Sequence, residues 1–198
     1  MTGSRTVPAF YGLTQRLAAP GAERALRAML ARWLAQHPPP GRCLDVGCGP
    51  QSWLWSVGVQ PYGVDVSERF VAAYRQRGGA AVVGCATALP FADGAFDSVW
   101  SFGLLHHLPD GAAQRAVAEM QRVTRAGGCT VVFDAVLPRA AWHRPVAALL
   151  RRMDRGRWMR TEAALTALLT PPAAWESTRL TYALTGLEGL LATFHKPA

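Results

Sequence analysis

Apolar residues are distributed along the chain with two different spacings. Short apolar runs at residues 43–46, 62–66, 81–83, 96–102 and 130–133 predict strands. Other stretches have apolar residues every three or four positions, which predicts amphipathic helices at 22–36, after Ser67 and after Pro109. This strand–helix alternation favours a mostly parallel sheet with helices on both faces.

The last third of the chain has a different pattern. Residues 141–153 and 161–169 predict helices, and Pro171 and Pro172 end the second of them. Residues 177–184 and 189–194 predict two strands joined by a turn, compatible with a closing antiparallel pair. Gly127 and Gly128 are predicted to end the helix that begins at Pro109.

Composition favours one globular domain. The chain has 198 residues, of which 50% are hydrophobic and 17% charged, enough apolar material for a core. No apolar run approaches the roughly 18 residues that span a bilayer, and residues 1–10 have no secretory pattern. The four cysteines form no CxxC pair, so we expect reduced thiols in the core, no metal site and a cytoplasmic location.

The excess behind the formal net charge of +8 lies in two segments, residues 1–40 with +4 and residues 139–160 with +6, while residues 41–138 and 161–198 carry −1 each. The second segment holds seven arginines, namely Arg139, Arg144, Arg151, Arg152, Arg155, Arg157 and Arg160. They could form a lid for an anionic acceptor with an apolar body, or contact an anionic lipid surface. A solvated arginine face over ordinary core contacts is the alternative.

The strongest local motif is Leu-Asp-Val-Gly-Cys-Gly at 44–49, where Asp45 precedes a turn containing Gly47 and Gly49. Glycines let a backbone turn sharply against a ligand, and the following helix N-terminus offers amide donors. The motif alone is also compatible with an ordinary strand–helix turn. Asp65 follows Gly47 by 18 residues, a spacing at which a carboxylate can accept hydrogen bonds from both ribose hydroxyls. Asp65 could instead serve only the helix that starts beside Ser67.

Three further blocks accompany these motifs, at residues 88–100, 104–110 and 122–128. The set, in this order, resembles the class I S-adenosylmethionine-dependent methyltransferases, and specifically the small-molecule branch similar to ubiquinone and menaquinone biosynthesis enzymes. The resemblance covers about residues 41–135. It implies an α/β, Rossmann-like, doubly wound sheet of seven strands with an antiparallel last strand, and S-adenosylmethionine as the cofactor.

The resemblance also implies a set of cofactor-binding residues. These are Asp45, Gly47, Cys48, Gly49, Asp65, Val66, Ala86, Thr87, Ser101 and Phe102. The chain departs from the family pattern at Gln51, where a third glycine is usual, and at Cys85, where an aspartate often holds the adenine. We expect a single domain over 1–198. Its parts are an N-terminal leader or cap (1–40), a cofactor-binding core (41–137), a basic cap segment (138–160) and a closing helix and strand pair (161–198).

His106 and His107 are the candidates for a general base. The imidazole of histidine ordinarily has a pKa near neutral pH, so it can remove a proton from a hydroxyl or a carbon acid. Histidines are common at this position in the family, which favours a structural role beneath the site as the alternative. Asp134 and His143 are weaker candidates.

The predicted function is methyl transfer to an oxygen, nitrogen or carbon nucleophile of a small or medium-sized metabolite. A non-catalytic S-adenosylmethionine-binding protein is the alternative. A dehydrogenase is disfavoured, because Ser52 stands where GxGxxG needs its last glycine. Nucleic acid is not expected as a partner, because residues 101–104 lack the Asn/Asp-Pro-Pro-aromatic motif of exocyclic-amine methylation. The sequence does not indicate an oligomeric state.

Overall fold

The computed structural model describes residues 21–37, 41–139, 157–170, 174–182 and 186–198. The predicted leader at 1–20, the predicted helix at 141–153, His143 and four of the seven clustered arginines lie outside these residues.

The described residues form one seven-stranded sheet in the order β3-β2-β1-β4-β5-β7-β6. The strands are β1 Cys43–Val46, β2 Tyr62–Asp65, β3 Ala81–Val83, β4 Phe96–Phe102, β5 Thr124–Val136, β6 Trp175–Thr181 and β7 Glu188–His195. Strand β7 runs antiparallel to both of its neighbours, β5 and β6, whereas the pairs from β3 across to β5 are parallel. The predicted sheet, with its antiparallel last strand, is confirmed.

The described helices are α1 Ala22–Gln36, α2 Glu68–Gln76, α3 Asp110–Val123 and α4 Glu162–Leu168. Polar side chains cap two of them. The Ser67 hydroxyl accepts the Phe70 amide at the start of α2, and the Thr161 hydroxyl accepts the Ala164 amide at the start of α4. Among the described residues, none of the helices is long and apolar enough to cross a bilayer.

The two faces of the sheet belong to separate apolar clusters, because neighbouring residues of a strand point to opposite sides. Val99 packs with α3 and α4, whereas the next residue, Trp100, packs with α1. On β5, Val132 and Val131 divide in the same way. Helix α1 is tied to the sheet by Trp33, whose indole N–H donates to the Thr193 hydroxyl at 3.0 Å. The sheet is therefore covered on both faces, as a doubly wound fold requires.

The boundary between α3 and β5 differs from the prediction. The helix ends at Val123, and β5 begins at Thr124, whose hydroxyl donates to the Met120 carbonyl at 2.7 Å. Gly127 has a φ of 67° within the strand, and the β4–β5 register shifts between Phe96 and Ser98. The glycines thus form an irregularity in β5 rather than the end of the helix.

The helix predicted after the glycine turn is only a 3₁₀ helix at Trp53–Val57, capped by Ser52, whose hydroxyl accepts the Leu54 amide. The predicted set of amide donors at a helix N-terminus is therefore small here. Ligand contacts at this position depend on the turn itself.

Candidate active site

Sheet pairing brings the predicted site residues to one edge. Val46 of β1 pairs with Val64 of β2 and with Ser101 of β4. The residues that follow, Gly47, Asp65 and Phe102, therefore lie side by side where the parallel strands end. Open α/β sheets bind their ligands outside this carboxyl edge.

The glycine turn has one closed and one open position. Gly47 has a φ of 72° and Gly49 a φ of 58°, in the left-handed region that favours glycine. A Cβ added to Gly47 would lie 2.9 Å from the Leu104 side chain, whereas one added to Gly49 would meet nothing within 4 Å. Space for a ligand therefore adjoins Gly49.

Asp65 joins the glycine turn to the end of β2. One of its carboxylate oxygens accepts the Gly49 amide and the other accepts the Ser67 amide, each at 2.9 Å. Each oxygen can accept a further hydrogen bond, and the residue is half-buried. Asp65 thus has the structural role beside Ser67, and this role leaves acceptor capacity for a ribose.

Asp45 is a buried acid behind the same turn, with 2% of its surface exposed. Burial raises the pKa of its carboxyl to about 7, a hydrogen bond from Ser52 opposes that shift, and the nearby Asp65 charge adds to it. Within the described residues, its Oδ1 atom has no hydrogen-bond partner. A buried acceptor without a partner fits a ligand that brings a donor.

Apolar side chains border the site on the β2–β3 side. Val66 is 75% exposed and Val83 is 47% exposed, unusual values for valines at the ends of buried strands. Two exposed apolar side chains fit the flat face of a nucleobase.

The turn that holds Ala86 follows β3, and in it the Cys85 thiol lies 3.1 Å from the Thr87 hydroxyl. Hydrogen bonds from Thr87 lower the pKa of the Cys85 thiol. Cys43 and Cys48 are buried and Cys129 is partly buried, but Cys85 is exposed. The expectation that all four cysteines lie in the core is therefore wrong for Cys85.

The end of β4 contributes two residues of different character. Ser101 is buried, and its hydroxyl has no hydrogen-bond partner in the described part of the chain. Phe102 is partly buried and stacks on Trp100, with ring centroids 5.8 Å apart. A role for this pair at the methyl-transfer face stays a prediction.

His106 and Asp134 form a buried pair between the ends of β4 and β5. The His106 Nδ1 atom lies 2.5 Å from Asp134 Oδ1. The Asp134 carboxylate also accepts the backbone amides of Leu105 at 2.6 Å and Ala135 at 2.7 Å. His107 is exposed beside them. Sequence reasoning named both members of the pair separately but not their contact, since 28 residues separate them.

Arg160 has a role that sequence reasoning missed. Only 7% of the residue is exposed. Its guanidinium donates to the Leu105 carbonyl at 2.7 Å, to the Leu108 carbonyl at 2.6 Å and to Asp110 at 2.8 Å. Arg160 therefore belongs neither to a substrate lid nor to a solvated face, although the charge pattern grouped it with residues for which these were the alternatives.

Comparison with known proteins agrees with this geometry. Residues 44–132 match the family described as methyltransferase domain. Over 134 residues, the chain is 38% identical to the demethylmenaquinone methyltransferase of Beutenbergia cavernae, covering 65% of this chain and 54% of that protein. It is also 33% identical over 104 residues to the probable tRNA methyltransferase 9B of Homo sapiens, covering 52% of this chain and 23% of that protein.

A solved structure shares the fold. It is a SAM-dependent methyltransferase of Thermotoga maritima, with a TM-score of 0.68 and 18% identity over 95% of this chain and 96% of that one. Residues 44–132 are thus similar to a methyltransferase domain, and the chain shares the fold of a SAM-dependent methyltransferase. The chain spans about half the length of the curated relatives it matches.

Proposed function

We propose that this methyltransferase transfers a methyl group from S-adenosylmethionine to a small or medium-sized organic metabolite. The observation that carries the proposal is the edge at which Asp45, the open turn at Gly49 and the Asp65 carboxylate come together. The arrangement offers a buried acceptor, free space and a second carboxylate at one edge of the sheet. These features suit a ligand with amino-acid and ribose parts.

The cofactor supplies an electrophilic methyl group, so the chain needs no nucleophile of its own. Asp65 would accept the ribose hydroxyls, and the backbone of Gly47, Cys48 and Gly49 would lie against the methionine part. Val66, Ala86 and Thr87 would border the adenine, while Ser101 and Phe102 would line the methyl-transfer face. The protein's remaining task is to align the acceptor with the methyl group and exclude water.

The names of two relatives point to the acceptor class. Both are demethylmenaquinone methyltransferases, and each aligns with 65% of this chain. We therefore propose an acceptor with an apolar, quinol-like body.

Free thiols at all four cysteines accord with the proposed cytoplasmic location.

The charged lid, or a contact with anionic lipid, stays a prediction. Of the arginines that suggested it, Arg139 pairs with Glu162 and Arg160 is buried, while the guanidinium of Arg157 lies 5.6 Å from the ring centre of Trp158. The idea therefore depends on Arg144, Arg151, Arg152 and Arg155. The proposed division into a core at 41–137, caps at 1–40 and 138–160 and a closing unit at 161–198 is likewise our proposal.

An assay with isotope-labelled S-adenosylmethionine tests the function. Naphthohydroquinone and bulk tRNA serve as the two acceptors, because one relative of this chain is named for each class. We expect label in naphthohydroquinone and none in tRNA. Label in tRNA alone would identify a nucleic-acid methyltransferase. Cofactor binding without transfer to either acceptor would support the non-catalytic alternative.

The Asp65→Asn variant tests the ribose contact in the same protein. Loss of a charged acceptor should weaken cofactor binding by about tenfold to a hundredfold, which corresponds to roughly 1.5–3 kcal/mol. Glu68→Gln removes an exposed carboxylate three residues away and should bind as the wild type does. Calorimetry measures both, and equal dissociation constants for the two variants would contradict the contact.

A further inference from the structure

We propose that His106 is the general base of this methyltransferase and that Asp134 is its positioning residue. The consequence is a restriction on the acceptor, whose nucleophile must carry an acidic O–H or C–H proton. This inference rests on the proposed function and narrows it to a chemical class. Its evidence lies in the contacts of the turn between β4 and α3.

The contact with Asp134 determines which nitrogen of His106 carries the proton. A carboxylate only accepts hydrogen bonds, so the Nδ1 atom at 2.5 Å must be the donor. In the neutral ring, Nε2 then holds the lone pair that can take a proton. Backbone amides from Leu105 and Ala135 hold the Asp134 carboxylate in place, so the tautomer and the ring orientation are both set by buried groups.

The ring lies next to the cofactor edge of the sheet. Phe102, the last residue of β4, pairs with Phe133, so the next residues lie at matching positions, Gly103 just beyond β4 and Asp134 still within β5. The His106 ring sits between them, because its Cε1 atom is 3.4 Å from the position of a Cβ on Gly103. Leu104, two residues before His106, packs against Gly47 of the glycine turn. One short turn thus connects the histidine with the cofactor loop.

Contacts from the segment after residue 156 hold this turn. The Trp158 amide donates to the His106 carbonyl at 3.1 Å, and Arg160 binds the Leu105 carbonyl on one side and Asp110 on the other. Among the described residues, the charged and titratable groups around the imidazole include Asp134 in contact, His107 with its ring centroid 4.1 Å away, and the Arg160–Asp110 pair behind the turn. A base held from two sides keeps its geometry during the reaction.

The proposed step balances as follows. An acceptor O–H or C–H gives its proton to His106 Nε2, and the electron pair that is freed forms the bond to the methyl carbon. The bond between that carbon and sulfur breaks, and its electrons stay on sulfur as a neutral thioether. The imidazolium faces the Asp134 carboxylate and then returns the proton to water. An amine attacks through a lone pair that it already has, so it does not need this base beforehand.

Two acceptors of similar shape test the restriction. Wild-type protein should methylate naphthohydroquinone and should methylate naphthylamine at least about tenfold more slowly. His106→Gln should lower the naphthohydroquinone rate by about a hundredfold or more, the usual scale for losing a general base. His195→Gln removes an exposed histidine at the opposite edge of the sheet, so its rate should equal that of the wild type.

Asp134→Asn tests the positioning role of Asp134 through the pH dependence of kcat/KM, which a change in protein stability alone would not shift. Loss of the carboxylate favours the neutral imidazole, so the rising limb of kcat/KM against pH should shift to lower pH while its plateau falls. Nitrogen NMR of histidine-labelled wild type provides a measurement without any acceptor. It should show the Nδ1–H tautomer for the neutral ring of His106, in the presence and absence of the cofactor product.

Several outcomes would overturn the inference without affecting the proposed function. These are an Nε2–H tautomer, an unchanged naphthohydroquinone rate in His106→Gln, or faster transfer to naphthylamine than to naphthohydroquinone. Failure of the proposed function is distinct, because it appears as absent binding of S-adenosylmethionine, as label in tRNA alone, or as cofactor binding without transfer to any acceptor.

Discussion

Individual side chains at the candidate site have properties that their residue types alone do not give. Asp45 is the clearest example, since aspartates are rarely buried with a carboxylate oxygen left unpaired. Its carboxyl lies at the end of the first strand with one oxygen unpaired among the described residues, behind the turn that would hold the cofactor. Keeping an acid in that position costs stability, which is reasonable where a ligand completes the hydrogen bonding.

The pH dependence of folding tests this account of Asp45. Its pKa rises from an ordinary value of 3.8 to about 7 in the folded chain, so between these values the folded state holds a proton that the unfolded state has lost. The contribution of Asp45 to stability is therefore greatest below about pH 4 and is lost as the pH rises to about 7.

We expect urea unfolding of the Asp45→Asn variant to lack that decline. Relative to wild type, the variant should gain stability between about pH 5 and pH 8, because the amide is never charged. Glu176→Gln, which changes an exposed acid on β6, should follow the wild-type profile. A parallel pH dependence for wild type and Asp45→Asn would contradict the assignment.

The sequence alone locates many residues of the candidate site, but it does not show which of them contact each other. The glycine turn and Asp65 could be located because turn chemistry and spacing are local properties of the chain. The contact of His106 with Asp134 depends on the pairing of β4 with β5, which no local pattern reveals. The exposure of Cys85 was missed for the same reason, because apolar composition does not tell which side of a turn faces solvent.

At the level of elements, the turn after β4 depends on Arg160. The guanidinium reaches the Leu105 and Leu108 carbonyls and Asp110, so one side chain provides hydrogen-bond donors to backbone groups of a short, irregular segment. Sequence reasoning placed Arg160 in a charged cluster, because its partners lie about 50 residues away in the chain.

Two arginine substitutions in the same segment should separate these roles. Arg160→Met should lower the free energy of unfolding by about 2–4 kcal/mol, since it leaves buried carbonyls without donors. Arg139→Met loses an ion pair of an arginine whose side chain is 72% exposed, and it should change stability by less than about 1 kcal/mol. Urea denaturation followed by circular dichroism measures the free energy of unfolding of both variants. Equal losses would show that the hydrogen bonds of Arg160 do not stabilise the turn after β4.

Element boundaries were predicted best where strong local signals mark them. Helix α1 lies where the apolar spacing predicted it, and α3 follows Pro109. The start of β5 was misplaced because Thr124 pairs with Phe96 of another strand, a contact that outweighs the local preference of Gly127 and Gly128 for a helix end.

On the scale of the whole molecule, strand order explains why one edge carries the chemistry. Strand β1 lies between β2 and β4 and is parallel to both. Asp65, the glycine turn and the turn after β4 therefore all lie at the carboxyl ends of these strands, on the same side of the sheet. Strand β7 lies antiparallel between β5 and β6, so its carboxyl end is on the opposite side of the sheet. The resemblance to known methyltransferases implied this arrangement, whereas apolar patterning alone indicated only a closing antiparallel pair.

The most direct test is calorimetric titration of the whole chain with S-adenosylhomocysteine, the product form of the cofactor, using two glycine variants. Gly49 and Gly78 both have positive φ, and a Cβ added to either would meet nothing within 4 Å, so alanine should strain both backbones similarly, by about 1 kcal/mol. We predict that wild type and Gly78→Ala bind alike and that Gly49→Ala binds at least about tenfold more weakly, because only that methyl group enters the crevice. Absence of binding to wild type, or equal weakening by both variants, would contradict the claim that the turn at Gly49 holds the cofactor.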